Sequence, residues 1–139
     1  MPVKETELQD EFSEFYLNET AALELELPTG DPLRYRGKQV IAHLFGPSTT
    51  QFVKAKAALD REASKRVVAA MGVKGRKKEK EDEEADAKFL AAVTERFDNF
   101  PYPGGVEAIY REPRFKYIHE QVRNHLNDLG NFFAPGETI

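Results

Sequence analysis

No cysteine occurs in the 139 residues. That absence excludes a disulfide scaffold, an iron–sulfur site and a cysteine-rich zinc site, and it fits a reducing compartment. There is also no run of about 18 apolar residues, so no membrane span is expected. The first twelve residues are acidic and lack the basic-then-apolar layout of a signal peptide. A cytoplasmic protein is the expectation. An excess of positive charge is missing too: the net charge is −4, which argues against bulk attraction to nucleic acid or anionic membrane.

The motifs of common catalytic sites are absent as well. His43, His119 and His125 show no pair at the four-residue spacing of a helical zinc site. The glycines form neither a P-loop nor a dinucleotide-binding turn. Ser48 has no G-x-S-x-G around it, and its place before Thr-Thr-Gln reads as a helix cap. No catalytic residue, metal or cofactor is therefore assigned, and the expectation is a binding protein and not an enzyme.

What is present is a core and a very wet surface. Hydrophobic residues make up 40% and charged residues 32% of the chain, a length and balance that suit one domain. The charge is unevenly spread. Residues 1–27 hold eight acidic residues against one lysine, whereas residues 51–80 hold ten Lys/Arg against three Asp/Glu. Such asymmetry bears on association. It suggests that the acidic arm of one copy meets the basic helix of the next, a head-to-tail contact through Lys54, Lys56, Arg61, Lys65 and Arg66.

Periodicity divides the chain. Residues 1–20 read as an acidic arm, with Phe12, Phe15 and Tyr16 on one helix face. A single domain, 21–139, follows. Leu23, Leu25 and Leu27 alternate with Glu24 and Glu26 as in a half-buried strand, and Pro28-Thr-Gly-Asp-Pro32 breaks it. Residues 33–35 suit a short second strand and 39–45 a third, completing a β element over 22–45. Ser48 and Gln51 have capping-box spacing, so a helix is expected over 48–72, closed by Gly72. Residues 73–82 read as a charged linker with nothing to bury. The spacing predicts further helices over 83–98 and 113–130, with a short turn of helix over 106–111 between them. Phe115, Ile118, Val122, Leu126 and Leu129 form the clearest apolar stripe. The fold class is α+β, helix-dominant: an N-terminal β-hairpin or small antiparallel sheet followed by three to four helices.

The order of these features resembles a known family. The residues that carry the resemblance are Leu25-Glu-Leu-Pro-Thr-Gly-Asp-Pro-Leu33, then Gly46-Pro-Ser-Thr-Thr-Gln-Phe52 opening a basic helix, then Phe89-Leu-Ala-Ala-Val-Thr-Glu-Arg-Phe97. Val106-Glu-Ala-Ile-Tyr110 through Val122 and Asn131-Phe132 complete it. Over residues 22–133 the chain resembles the tail assembly chaperones of long-tailed bacteriophages. It carries Phe97 and Phe115 where members often have tryptophan, which keeps an aromatic anchor.

The resemblance implies a protein of the host bacterial cytoplasm that binds the tape measure protein and keeps it soluble. It implies recruitment of tail tube protein, absence from the mature virion and self-association into a homo-oligomer. On that reading the contact candidates are Phe97, Tyr110, Phe115, Tyr117, Phe132 and Phe133. Phe132 and Phe133 lie beyond the last helix, and their alternative is packing against the β element. Two other functions compete: a small nucleic-acid-binding regulator using the basic 51–80 segment, and a structural tail or head-completion component.

Overall fold

A computed structural model describes residues 12–69 and 76–133. It has the expected class, a small antiparallel sheet followed by helices. The strands are β1 (Thr20–Glu24), β2 (Arg34–Tyr35), β3 (Lys38–Gln39), β4 (Ile41–Phe45) and β5 (Thr94–Asp98). The helices are α1 (Thr50–Ala69), α2 (Arg76–Val93), α3 (Gly105–Arg111) and α4 (Lys116–Leu126). Short 3-10 turns cover Ser13–Phe15, Pro113–Phe115 and Leu129–Phe132.

The main sheet has the order β1-β4-β5, antiparallel throughout. Alternation along β4 explains its central place. Ala42 and Leu44 are buried on one face, while Ile41, His43 and Phe45 are half-buried on the other. The second sheet is the β2-β3 hairpin. Its turn holds Arg36 and Gly37, both at positive φ, as a two-residue hairpin turn requires. Gln39 fastens the hairpin to the core: its side-chain amide shares two N–H groups among the carbonyls of Leu25, Leu33 and Val40, at 2.8, 3.1 and 3.0 Å.

Both ends of α2 differ from the sequence expectation. Residues 94–98 are a strand and not the last turn of a helix. Thr94, Arg96, Phe97 and Asp98 pair with Leu44, His43, Ala42 and Ile41. Without β5 the backbone groups of β4 on that side would be buried unpaired, a larger cost than ending α2 at the β-branched pair Val93-Thr94. In the other direction, α2 starts at Arg76, inside the stretch expected as a linker. Residues 76–84 are all Arg, Lys, Glu or Asp. Arg, Lys and Glu are good helix formers even with nothing to bury, and charges of opposite sign fall four apart.

Residues 1–11, 70–75 and 134–139 lie outside the described residues, and with them Gly72 as a helix stop. The cap of α1 is Thr49 and not Ser48. The Thr49 hydroxyl accepts from the Phe52 N–H at 3.2 Å and donates to the Gly46 carbonyl at 2.7 Å. This fixes the β4–α1 corner. The last helix is shorter than expected, ending at Leu126. The Asp128 carboxylate then accepts from the Gly130 N–H at 3.0 Å and folds the chain into a 3-10 turn. Leu129, expected in the apolar stripe, is therefore exposed.

The core lies between the inner face of the sheet and α2, α3 and α4. Leu25, Leu44, Leu90, Val93, Ile109, Ile118, Val122 and Phe132 are each at most 1% exposed. A buried chain of two hydrogen bonds crosses it. The Thr94 hydroxyl donates to the Leu90 carbonyl at 2.7 Å, which leaves the Tyr110 hydroxyl to donate to Thr94 at 2.6 Å. Burial holds the Tyr110 phenol far above its ordinary pKa. No described helix is long and apolar enough to cross a membrane.

Candidate protein-binding site

Of the six aromatic contact candidates, the structure removes two. Tyr110 is 1% exposed and Phe132 fully buried. Both are core residues, because the 3-10 turn after α4 swings Phe132 back under the sheet and α3 points Tyr110 at Thr94. For Phe132 the alternative, packing against the β element, holds. Phe133 is half-buried beside it. Phe97 lies on β5, half-buried, with its ring 5.6 Å from that of Tyr110.

The other two candidates, Phe115 and Tyr117, belong to a cluster that the sequence reading did not assemble. Phe100 stacks on Tyr102 with centroids 6.4 Å apart and planes 12° from parallel. Phe115 meets both edge-on, at 5.5 and 5.0 Å, and Tyr117 meets Phe115 at 6.4 Å. All four rings are half-buried. They pack on the core from outside and keep part of each ring in water, an arrangement suited to an interface. The signal for Phe100 and Tyr102 was Phe-Pro-Tyr-Pro. Prolines at 101 and 103 keep the segment out of a helix and let both rings stack on one side.

A separate groove of about 590 Å³ lies between α2 and the α3–α4 corner, and none of the four rings lines it. Glu83, Glu84 and Asp86 line one wall, and Arg111, Lys116, Glu120 and Arg123 the other. Tyr110 and His119 form part of the floor. Arg123 reaches across to Asp86 at 3.1 Å. Burial lowers the His119 pKa, opposed in part by its bond to the Ile109 carbonyl at 3.3 Å. At neutral pH the floor is therefore uncharged between an acidic wall and a mainly basic one. Before α4, Arg114 grips Glu112 at 2.7 Å and holds that carboxylate below the usual range.

The basic self-association candidates lie on α1. Lys54, Lys56, Arg61 and Lys65 are exposed. Lys56 is half-engaged by Asp60 at 3.6 Å, and the side chain of Arg66 lies outside the described residues. The histidines do not converge. His43 pairs with Asp98 across β4–β5, which with Arg96 holds that carboxylate below its ordinary range. His125 stacks edge-on to Phe132 at 6.0 Å. Among the described residues no group of three or more His, Asp or Glu is placed to hold a metal ion. Comparison of the chain with protein-family models, with curated proteins and with solved structures finds no match.

Proposed function

We propose that this chain is an assembly chaperone for the tail of a long-tailed bacteriophage. It binds the tape measure protein, keeps it soluble in the host cytoplasm, promotes assembly of tail tube protein around it, and leaves before the virion is complete. The observation that carries this reading is the order and spacing of features over residues 22–133 described above. The half-buried cluster of Phe100, Tyr102, Phe115 and Tyr117 supports it. A long helical client exposes apolar stripes before assembly, and rings of this kind cover such a stripe without closing over it. Modest affinity is what a chaperone needs, since the client must later be released.

Co-expression tests the reading. The long open reading frame that encodes the tape measure protein is expressed with and without this chain. The tape measure protein should move from the pellet to the soluble fraction and co-purify with the chain, and purified particles should lack the chain. A tape measure protein that stays insoluble, or a chain retained in particles, overturns the proposal.

A further inference from the structure

The sheet order leaves two edges, β1 and β5, and they are not alike. β5 carries Glu95, Arg96 and Asp98, and its register against β4 slips between His43 and Leu44. Charges and bulges of this kind discourage a further strand. β1 is Thr-Ala-Ala-Leu-Glu, without lysine, proline or bulge.

The hydrogen-bonding phase of β1 follows from two backbone bonds. The Gly46 N–H donates to the Glu19 carbonyl at 2.7 Å, and the Leu25 N–H donates to the Val40 carbonyl at 3.1 Å. With Ala21 opposite Leu44 and Leu23 opposite Ala42, odd-numbered residues turn their N–H and C=O toward β4. Even-numbered ones turn away from it. Both ends of the outward row are occupied. The Asn18 N–H donates to the Phe132 carbonyl. At the other end the Gln121 side-chain amide takes both backbone groups of Glu26, at 2.8 and 2.7 Å, as a neighbouring strand would. Between them Thr20, Ala22 and Glu24 turn three N–H and three C=O groups outward, with no protein partner among the described residues.

Charge and side-chain pattern narrow the occupant. Glu19, Glu24 and Glu26 are exposed along this edge, and no cation pairs with them among the described residues. Ala21 and Leu23, on the inner face, are half-buried. We propose that the outer edge of β1 is a strand-addition site for an extended segment of a partner protein in which basic residues alternate with apolar ones. The backbone of β1 pairs with about five residues of that segment. Its apolar side chains lie over Ala21 and Leu23, and its basic side chains lie beside Glu24. A second copy of β1 is disfavoured, since it brings its own acidic residues to the same edge. The inference stands whether or not the partner is a tape measure protein.

The test uses the full chain, isotopically labelled, with two synthetic probes: the capped peptide Lys-Val-Lys-Val-Lys and its acidic counterpart Glu-Val-Glu-Val-Glu. At saturating basic peptide, amide exchange at Thr20, Ala22 and Glu24 should slow by about tenfold or more, while exchange at Ala21 and Leu23 is unchanged. The acidic peptide should leave all five unchanged. Ala22→Pro removes an outward N–H that β4 does not use, a substitution that edge strands accept, and should weaken basic-peptide binding by about fivefold or more. The exchange pattern of the unsubstituted chain decides the matter if that variant does not fold. No slowing at the three outward amides, equal slowing by the acidic peptide, or concentration-dependent slowing without peptide (pairing between copies) overturns the proposal.

Discussion

Replacing Phe132 by alanine separates a core role from a contact role in one measurement. Phe132 is fully buried. Its ring meets His125 edge-on and lies where a Cβ on Gly46 would come within 3.0 Å of it. Its carbonyl holds the Asn18 N–H and so pins the start of β1. Truncation of a buried phenylalanine costs about 3–5 kcal/mol, and the low end applies where the site collapses. Three elements meet here (β1, the β4–α1 corner and the chain after α4), so collapse would have to move all of them. A cost near the upper end is expected, against a total of about 5–15 kcal/mol for a domain. At roughly 3 °C per kcal/mol for this size, the midpoint of thermal unfolding should fall by ~10–15 °C. Urea denaturation at pH 7.5, followed by far-ultraviolet circular dichroism, reads the same loss as a lower midpoint with unchanged slope. Phe133→Ala is the internal control, because a half-buried neighbour should cost about 1 kcal/mol or less. If Phe132→Ala loses under about 1 kcal/mol, the placement of Phe132 in the core is wrong.

Other expectations follow from particular contacts. Gly46→Ala should destabilise by about 1–3 kcal/mol in the same assay, because the new Cβ would lie 2.7 Å from the Asn18 carbonyl oxygen. Tyr110→Phe should cost about 1 kcal/mol through loss of its bond to Thr94, and it should also flatten the alkaline limb of stability. The folded pKa of Tyr110 is raised, so its contribution is full below the unfolded value near 10 and is lost as pH rises toward the folded one. His119 and His125 behave in the opposite sense: burial depresses both. Their contribution is present above the unfolded value of about 6.5 and is lost as pH falls through the folded values. The urea midpoint should therefore be lower at pH 5 than at pH 7.5, and His125→Phe should reduce the difference. Tyr117→Ser should lower the soluble yield of co-expressed tape measure protein by about fivefold while costing no more than about 1.5 kcal/mol of stability, as a half-buried ring at a contact surface would. Self-association through the basic face of α1 predicts a mass, read by light scattering, that falls between low and high salt.

The parts of this fold that the sequence determined by itself are those in which one local pattern has no competitor. Alternation at Leu23 and Leu25 located the first strand, although β1 runs Thr20–Glu24 and Leu27 is exposed, and the Ile118-Val122-Leu126 spacing placed α4, because each period admits one way to turn apolar side chains inward. Proline and glycine marked the breaks at 28–32 and 101–105 for equally local reasons. Residues 94–98 were not legible in this way. Thr-Glu-Arg-Phe-Asp continues a helical stripe as well as it begins a strand, and only the open side of β4 settles the choice. No local pattern separates a contact role from a core role for Tyr110 and Phe132, since an aromatic residue in a short helix or past a helix end carries no sign of which way it faces. Their burial depends on Thr94 and Gly46, some 16 and 86 residues away in the chain. The outward row on β1 is likewise a tertiary fact. The alternation shows which side chains face inward. Which backbone groups remain unpaired depends on where β4, Gln121 and Phe132 come to lie.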